Sequence, residues 1–370
     1  MTAASLVAME TIPVSLSSRS YRIVIGAGAL CTVGAELAAL NPGRKVALFS
    51  DPAIMRIHGR PVVESLHAAG FEVIEISLPE GESAKTLDVA RHGWDRMLEA
   101  GCDRTSTVVA LGGGAVGDLA GFVSATYMRG TNFVQVPTTL LAQVDASIGG
   151  KTAIDHPAAK NLIGAFHQPR FVLVDPMALT TLPDLEFRSG LAEVVKHGIV
   201  LDAGYFSDLE ESVPALLRRD LATLERVVAG SCRIKAGVVE RDEREAELRH
   251  VLNYGHTVGH ALEAVTGFRR WAHGEAVSLG IAAEARLAER LGIASPATTE
   301  RQVRLLRAVG LPVTGLGVQP AEILAALGRD KKARDGRVPF VLAPEIGGFR
   351  IVFDVPPATV REVLEELVQA

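Results

Sequence analysis

Through residue 174 the chain repeats one pattern, a short run of β-branched and apolar residues followed by a helical segment. The runs are Tyr21–Ile25, Lys45–Phe49, Glu72–Ser77, Thr107–Leu111, Phe133–Val136 and Phe171–Val174, and helical stretches such as Pro61–Ala69 and Leu87–Ala100 lie between several of them. Such alternation predicts a mostly parallel sheet covered by helices. From Glu186 to Glu289 the pattern changes to long amphipathic or wholly apolar helices punctuated by Gly and Pro. A short strand pair, Arg337–Leu342 with Gly348–Phe353, is expected near the C-terminus. A boundary near residue 178 then separates an α/β domain, residues 1–178, from a mainly helical domain, residues 179–370. No internal repeat is visible.

Composition removes several function classes. With 48% hydrophobic and 22% charged residues over 370 positions, the chain falls among globular proteins and outside the disordered, collagenous and disulfide-stapled classes. A net charge of −5 gives no basic footprint for nucleic acid, so an anionic ligand would need a local cluster of Lys and Arg. Cys31, Cys102 and Cys232 are few, odd in number and far apart, which fits a reducing cytoplasm and no zinc knuckle. The first residues lack a basic segment leading into a long apolar one, so no secretion signal is read. The most membrane-like window, Thr105–Met128, holds a Gly-rich turn with Asp118 at its middle and makes a poor spanning helix. A soluble cytoplasmic chain, with neither membrane nor nucleic acid as partner, is expected.

Two glycine-rich segments follow strands. Gly26-Ala-Gly28 has Cys31 where a third glycine would stand and reads as an ordinary turn. Gly112-Gly-Gly-Ala-Val-Gly-Asp118 instead satisfies G-x-G-x-x-G directly after the run Thr107–Leu111, and continues into an apolar helix, Leu119–Tyr127. That context suits a Rossmann-like dinucleotide site, with backbone close to a pyrophosphate and a helix N-terminus aimed at its charge. No acid lies about 20 residues downstream to meet a ribose; Asp51, after the run Lys45–Phe49, is a candidate from another strand. The loop Pro79–Thr86 is compatible with a binding loop or with a solvated turn and helix cap.

Three later segments set polar groups among apolar ones. Glu193 and Lys196 are three apart on one predicted helix; Asn253, His256 and His260 are spaced to share a face; His273 lies just before another helix. Two imidazoles and one carboxylate suit zinc and leave a coordination position open. Spacing alone pairs His256 with His260, without fixing which two histidines bind.

These residues occur within ALGGGAVGDLAGFVSATYMRGTNFVQVPTTLLAQVDASIGGKTAIDHPAAKNLIGAF, SGLAEVVKHG, RIKAGVVERDEREAELRHVLNYGHTVGHALEA, HGEAVSLG and DKKARDG. In content and order the set closely resembles the 3-dehydroquinate synthases, within the sugar-phosphate cyclases, over most of the chain. The resemblance implies a dehydroquinate synthase-like fold and a homodimer that uses NAD+ and one divalent metal, Zn2+ or Co2+. It implies cyclisation of 3-deoxy-D-arabino-heptulosonate 7-phosphate to 3-dehydroquinate with release of phosphate, a carbon–oxygen lyase reaction of the shikimate pathway. It assigns the metal to Glu193, His256 and His273, and turns His260 toward substrate, against the spacing reading. Asp51, Glu82, Lys85, Gly113, Gly114, Val116, Gly117, Asp118, Thr138 and Thr139 match the family's NAD site. Asp145, Lys151, Lys160, Asn161, Lys196, Lys235, Arg249, Asn253 and one of Lys331 and Lys332 match its substrate pocket, and Arg129 matches an arginine that reaches the neighbouring subunit's site. Asp155 and His197 depart from the residues usual at those positions.

The implied substrate carries a carboxylate and a phosphate, which gives the basic set a purpose in an acidic chain. Lys235 and Arg249 suit the carboxylate, and Lys151, Asn161, Lys331 or Lys332, and Arg129 the phosphate. His260, with Asn253 or Lys196, is the candidate proton relay. Other readings are another sugar-phosphate cyclase, an NAD- and metal-dependent polyol dehydrogenase, and an inactive relative serving as a scaffold.

Overall fold

The structure is a computed structural model that describes residues 9–157, 159–328 and 338–369. The chain forms two compact units, Met1–Leu182 with Leu224–Glu243, and Pro183–Thr223 with Arg244–Ala370.

The first unit is built on a seven-stranded sheet. Its strands are β1 (Glu10–Val14), β2 (Tyr21–Ile25), β3 (Lys45–Ser50), β4 (Glu72–Ser77), β5 (Thr107–Gly112), β6 (Asn132–Pro137) and β9 (Phe171–Val174), in the order β1-β2-β9-β6-β5-β3-β4. All neighbours are parallel except β1 and β2. Alternation along the strands sends Ala47, Phe49, Val108, Ala110 and Phe133 to one face and Val46, Leu48, Val109, Leu111 and Val134 to the other. Both faces are dry. The helices Leu87–Glu99 and Gly114–Thr126 cover the first, and Val33–Ala38 and Arg60–Ala68 the second, which is why these strands read as nearly unbroken apolar runs. Each buried Phe contributes roughly 1.5–3 kcal/mol.

β1 and a hairpin of β7 (Lys151–His156) with β8 (Ala159–Phe166) are additions to the expected strands. Pro13 is tolerated in β1 because that strand is a sheet edge. The hairpin carries no alternation to read: Leu162 and Ile163 are consecutive and both exposed.

The expected boundary at residue 178 differs from the observed division in two respects. The first unit runs on through Leu182, and it takes back Leu224–Glu243, most of the helix Leu221–Arg241. Side chains explain the return. Lys235 Nζ donates to Asp145 Oδ1 at 2.6 Å, Cys232 Sγ donates to the Gln143 carbonyl at 3.3 Å, and Glu240 accepts from the Ser15 amide at 2.6 Å. Helical periodicity alone does not say which body a helix joins.

The second unit is helical, with Asp184–Leu201, Ala203–Leu217, His256–Val265, His273–Arg290, Pro296–Ala308, Pro320–Leu327 and Pro357–Gln369. It also holds a two-stranded pair, β10 (Phe340–Leu342) and β11 (Arg350–Val352). No helix among the described residues is long and apolar enough to cross a membrane.

Candidate active site

In the first unit the candidate cofactor residues gather at the carboxyl ends of β3, β5 and β6. The chain passes from β3 outward to β4 and then returns to the other side of β3 as β5. That reversal makes the β3/β5 border a topological switch point, where α/β sheets bind ligands. Asp51 follows β3, and its Oδ1 accepts from the amides of Ala53 and Ile54 at 2.9 Å, leaving Oδ2 without a partner among the described residues. Gly113 opens the helix Gly114–Thr126 with no side-chain cap, so the first amides of that helix have no side-chain acceptor there. The helix starts earlier than the expected Leu119 and includes Gly114, Val116, Gly117 and Asp118. Thr138 is buried, and its hydroxyl has no hydrogen-bond partner among the described residues. Thr139 Oγ1 accepts from the Ala142 amide at 3.2 Å. An uncapped helix start, a free carboxylate oxygen and an orphaned hydroxyl fit a bound dinucleotide.

Beside them lies a charged cluster. Lys85, 3% exposed, donates to Asp118 Oδ2 at 2.8 Å and to Asn161, with Glu82 at 3.6 Å and Asp155 at 4.0 Å. Burial opposes the Lys85 charge, but Asp118, Glu82 and Asp155 outweigh it and raise its pKa. Burial pushes Asp118 up to about 6, against the pull of Lys85. Lys160 Nζ is 3.5 Å from Glu82. Asn161 takes a left-handed conformation, φ 52°, and its amide donates to Asp155 at 2.8 Å. Lys160 and Asn161, matched above to a substrate pocket, are thus tied to the loop matched to the NAD site. Lys151 is exposed at the start of β7. Lys235 and Asp145 form the ion pair described above. Arg129 is exposed, with φ 68° beside Met128 at φ 49°.

The second unit assembles the metal candidates by close helix contact. Gly274 donates its amide to Ser189 Oγ at 2.9 Å, and a Cβ on Gly274 would lie 2.0 Å from the Ser189 carbonyl oxygen. This contact seats His273 beside Asp184–Leu201, where Glu193 stands one turn beyond Ser189. A Cβ on Gly280 would lie 1.8 Å from the Gly255 carbonyl oxygen, so only glycine lets His273–Arg290 meet the residue before His256. Ligand atoms of Glu193, His256 and His273 then all lie within 4.8 Å of one another.

The donor set is oriented for a cation. Glu193 is 1% exposed, and its Oε1 has no hydrogen-bond partner among the described residues. His256 Nε2 is 3.5 Å and His273 Nε2 3.9 Å from that oxygen. Each ring turns Nδ1 the other way, His256 to the Tyr254 carbonyl at 3.2 Å and His273 to Glu263 Oε1 at 3.3 Å. This is the arrangement in which Nδ1 carries the proton and Nε2 offers its lone pair to a metal. Burial opposes a charge on His273, but Glu263 and Glu193 outweigh it and raise its pKa. An orphaned carboxylate oxygen facing two imidazole nitrogens fits a divalent ion.

His260 is exposed, with its ring 5.0 Å from that of His256; the set around Glu193 takes His256 with His273, not the pair that spacing suggested. Asn253 corrects a second spacing argument. It ends a 3-10 turn, Leu248–Asn253, while the α-helix begins at His256 after Gly255 at φ 79°, so it shares no helix face with the histidines. Its amide donates to Glu245 Oε1 at 3.3 Å. Lys196, 1% exposed, donates to Glu193 and to the Leu252 carbonyl at 2.7 Å. Arg249 is 2% exposed. Lys331 and Lys332 lie outside the described residues. Glu245 and Glu263 were not singled out from the sequence. The spacing of Glu263, seven residues after His256 on one helix, was the available signal.

Residues 75–189 match the sequence model of the 3-dehydroquinate synthase N-terminal domain, and residues 190–333 that of the C-terminal domain. A 3-dehydroquinate synthase of Pelotomaculum thermopropionicum is 52% identical over 92% of each chain, and one of Geobacter metallireducens is 51% identical over 93% of this chain and 96% of its own. Among solved structures, the 2-epi-5-epi-valiolone synthase ValA of Streptomyces hygroscopicus, with NAD+ and Zn2+ bound, superposes with a TM-score of 0.87 at 28% identity. That match covers 96% of this chain and 98% of ValA. With both domain models matched in sequence and half of all residues shared with full-length relatives, the chain belongs to the 3-dehydroquinate synthase family.

Proposed function

We propose that the chain converts 3-deoxy-D-arabino-heptulosonate 7-phosphate to 3-dehydroquinate and phosphate, with NAD+ bound by the first unit and one Zn2+ or Co2+ by the second. The observation that carries this is the oriented set Glu193, His256 and His273 in a chain 52% identical to a named synthase. A nicotinamide held by the first unit would supply a reversible hydride acceptor for a secondary alcohol, and an ion held by Glu193, His256 and His273 would supply polarisation of that oxygen.

The chain's own groups do the rest. Asp51 Oδ2 suits the ribose, and the start of Gly114–Thr126 with Thr138 suits the pyrophosphate. Lys151 and Asn161 take the substrate phosphate, with one of Lys331 and Lys332 and the neighbouring subunit's Arg129. Lys235 and Arg249 hold the carboxylate; burial of both strengthens such pairing. Asp145 keeps Lys235 extended through their 2.6 Å contact. Phosphate leaves by elimination, and its own oxygen can take the proton, so no dedicated protein base is required. His260, with Asn253 or Lys196, relays protons in the later ring opening and aldol closure.

The reading includes a homodimer in which Arg129 reaches the neighbouring subunit's site. Its support is Arg129 held exposed in a left-handed turn and three exposed apolar residues on β8, Leu162, Ile163 and Phe166, a surface that favours burial. Three free cysteines support residence in the cytoplasm.

The test is a paired assay of phosphate and dehydroquinate with catalytic NAD+ and Zn2+. Equal yields, no net NADH and loss of activity on chelation are expected. Phosphate without dehydroquinate would point to another cyclase, and net NADH from simple polyols to a dehydrogenase.

A further inference from the structure

We propose that Glu263 is a positioning residue: its carboxylate holds His273 in one tautomer and one rotation, so that Nε2 faces the point shared by Glu193 and His256. The inference rests on the metal reading above.

The two histidines solve the same problem with different backing groups. His256 Nδ1 meets a main-chain carbonyl, that of Tyr254, at 3.2 Å, whereas His273 Nδ1 meets a side chain, Glu263 Oε1, at 3.3 Å. The first is fixed by the backbone and no substitution removes it. The second depends on one carboxylate, 8% exposed, on the last turn of His256–Val265. His273 is the first residue of its own helix. Glu263 therefore links the helix that carries His256 to the ring that begins the next helix, and sets both the direction and the proton of that ring. A carboxylate behind a metal-binding imidazole also raises its basicity as a ligand.

A competing arrangement is built from the same atoms. Glu263, His260 and His273 also place ligand atoms within 4.8 Å of one another, which would make Glu263 a ligand. The geometry points the other way. Glu263 faces Nδ1 of His273, and a neutral imidazole with its proton there has a lone pair only at Nε2, toward Glu193.

The experiment measures Zn2+ dissociation constants of the full chain by chelator competition for the parent, Glu263→Ala, Glu263→Gln and Glu193→Gln. Visible spectra of the Co2+ forms and denaturant midpoints of the metal-free forms are recorded alongside. Loss of the backing group in Glu263→Ala should weaken Zn2+ binding about 10–100-fold. Glu263→Gln, whose amide oxygen still accepts from Nδ1–H, should recover most of it and keep the parental Co2+ spectrum. Glu193→Gln should lose more than either. If Glu263→Ala does not fold, Glu263→Asp, one methylene shorter, takes its place. Parental affinity in Glu263→Ala would overturn the positioning role, and so would loss in Glu263→Gln as deep as in Glu193→Gln, the mark of a ligand. A parent that binds no equivalent of Zn2+ would instead sink the metal reading itself.

Discussion

Lys85 Nζ lies 2.8 Å from Asp118 Oδ2, joining the loop after β4 to the first turns of the helix after β5. One buried ammonium here serves three carboxylates, Asp118, Glu82 and Asp155. Burial, helped by the negative charge of Glu82 and Asp155 and opposed by Lys85, raises Asp118 to about 6. The cluster thus holds a proton-binding group in the middle of the candidate cofactor loop.

The consequence is a stability difference with a defined pH window. A carboxyl whose folded pKa stands above its ordinary 3.8 contributes stability that is complete below about pH 4 and is lost as pH rises through about 6. Asp118→Asn stays neutral throughout. It should match the parent below pH 4 and exceed it at pH 7, by at most about 3 kcal/mol. Denaturant unfolding from pH 4 to 8 checks this; a variant less stable than the parent at pH 7 would show that the Lys85 pairing outweighs burial.

Lys196 is the buried countercharge of Glu193. Lys196→Met removes it and takes the donor from the Leu252 carbonyl. The metal-free variant should lose about 3–5 kcal/mol. Added Zn2+ should recover more stability in the variant than in the parent, since the ion then supplies the charge that the lysine did. Paired denaturation curves with and without Zn2+ read the difference, and equal gains from Zn2+ in both proteins would contradict it.

Gly280→Ala tests the helix contact that brings the imidazoles together. Its Cβ would stand 1.8 Å from the Gly255 carbonyl oxygen, a backbone atom that moves only with His256. The substitution should cost 2 kcal/mol or more, near the upper part of the ~1–3 kcal/mol range for overpacking. It should weaken Zn2+ binding even in the folded fraction. Unchanged stability and unchanged Zn2+ affinity together would refute the contact.

Much of this was legible in the sequence because burial writes itself as pattern. β2, β4 and β9 have the ends their apolar runs predicted, and β5 passes through the glycines into a helix in the order the spacing predicted. Other features were hidden for physical reasons. β8 exposes consecutive apolar residues and so has no period. Leu221–Arg241 has a helix's period, but its partner is decided by Lys235, Cys232 and Glu240. The i+3 reading of Asn253 assumed one helix through Gly255, where φ of 79° starts a new one. His273 comes close to Glu193 only through Gly274 and Gly280, a tertiary contact that spacing between the histidines does not encode. The resemblance implied Glu193, His256 and His273, and these helix contacts bring their ligand atoms within 4.8 Å of one another.

The most direct test of the proposed chemistry follows one hydrogen. Substrate carrying deuterium on the carbinol carbon that is oxidised is turned over with catalytic NAD+, and the product is analysed by mass and NMR. If the hydride is borrowed and returned within one catalytic cycle, dehydroquinate retains the deuterium at that carbon, phosphate release equals product, and no NADH accumulates. Deuterium found in an accumulating NADH pool, or product formed without it, would contradict the account.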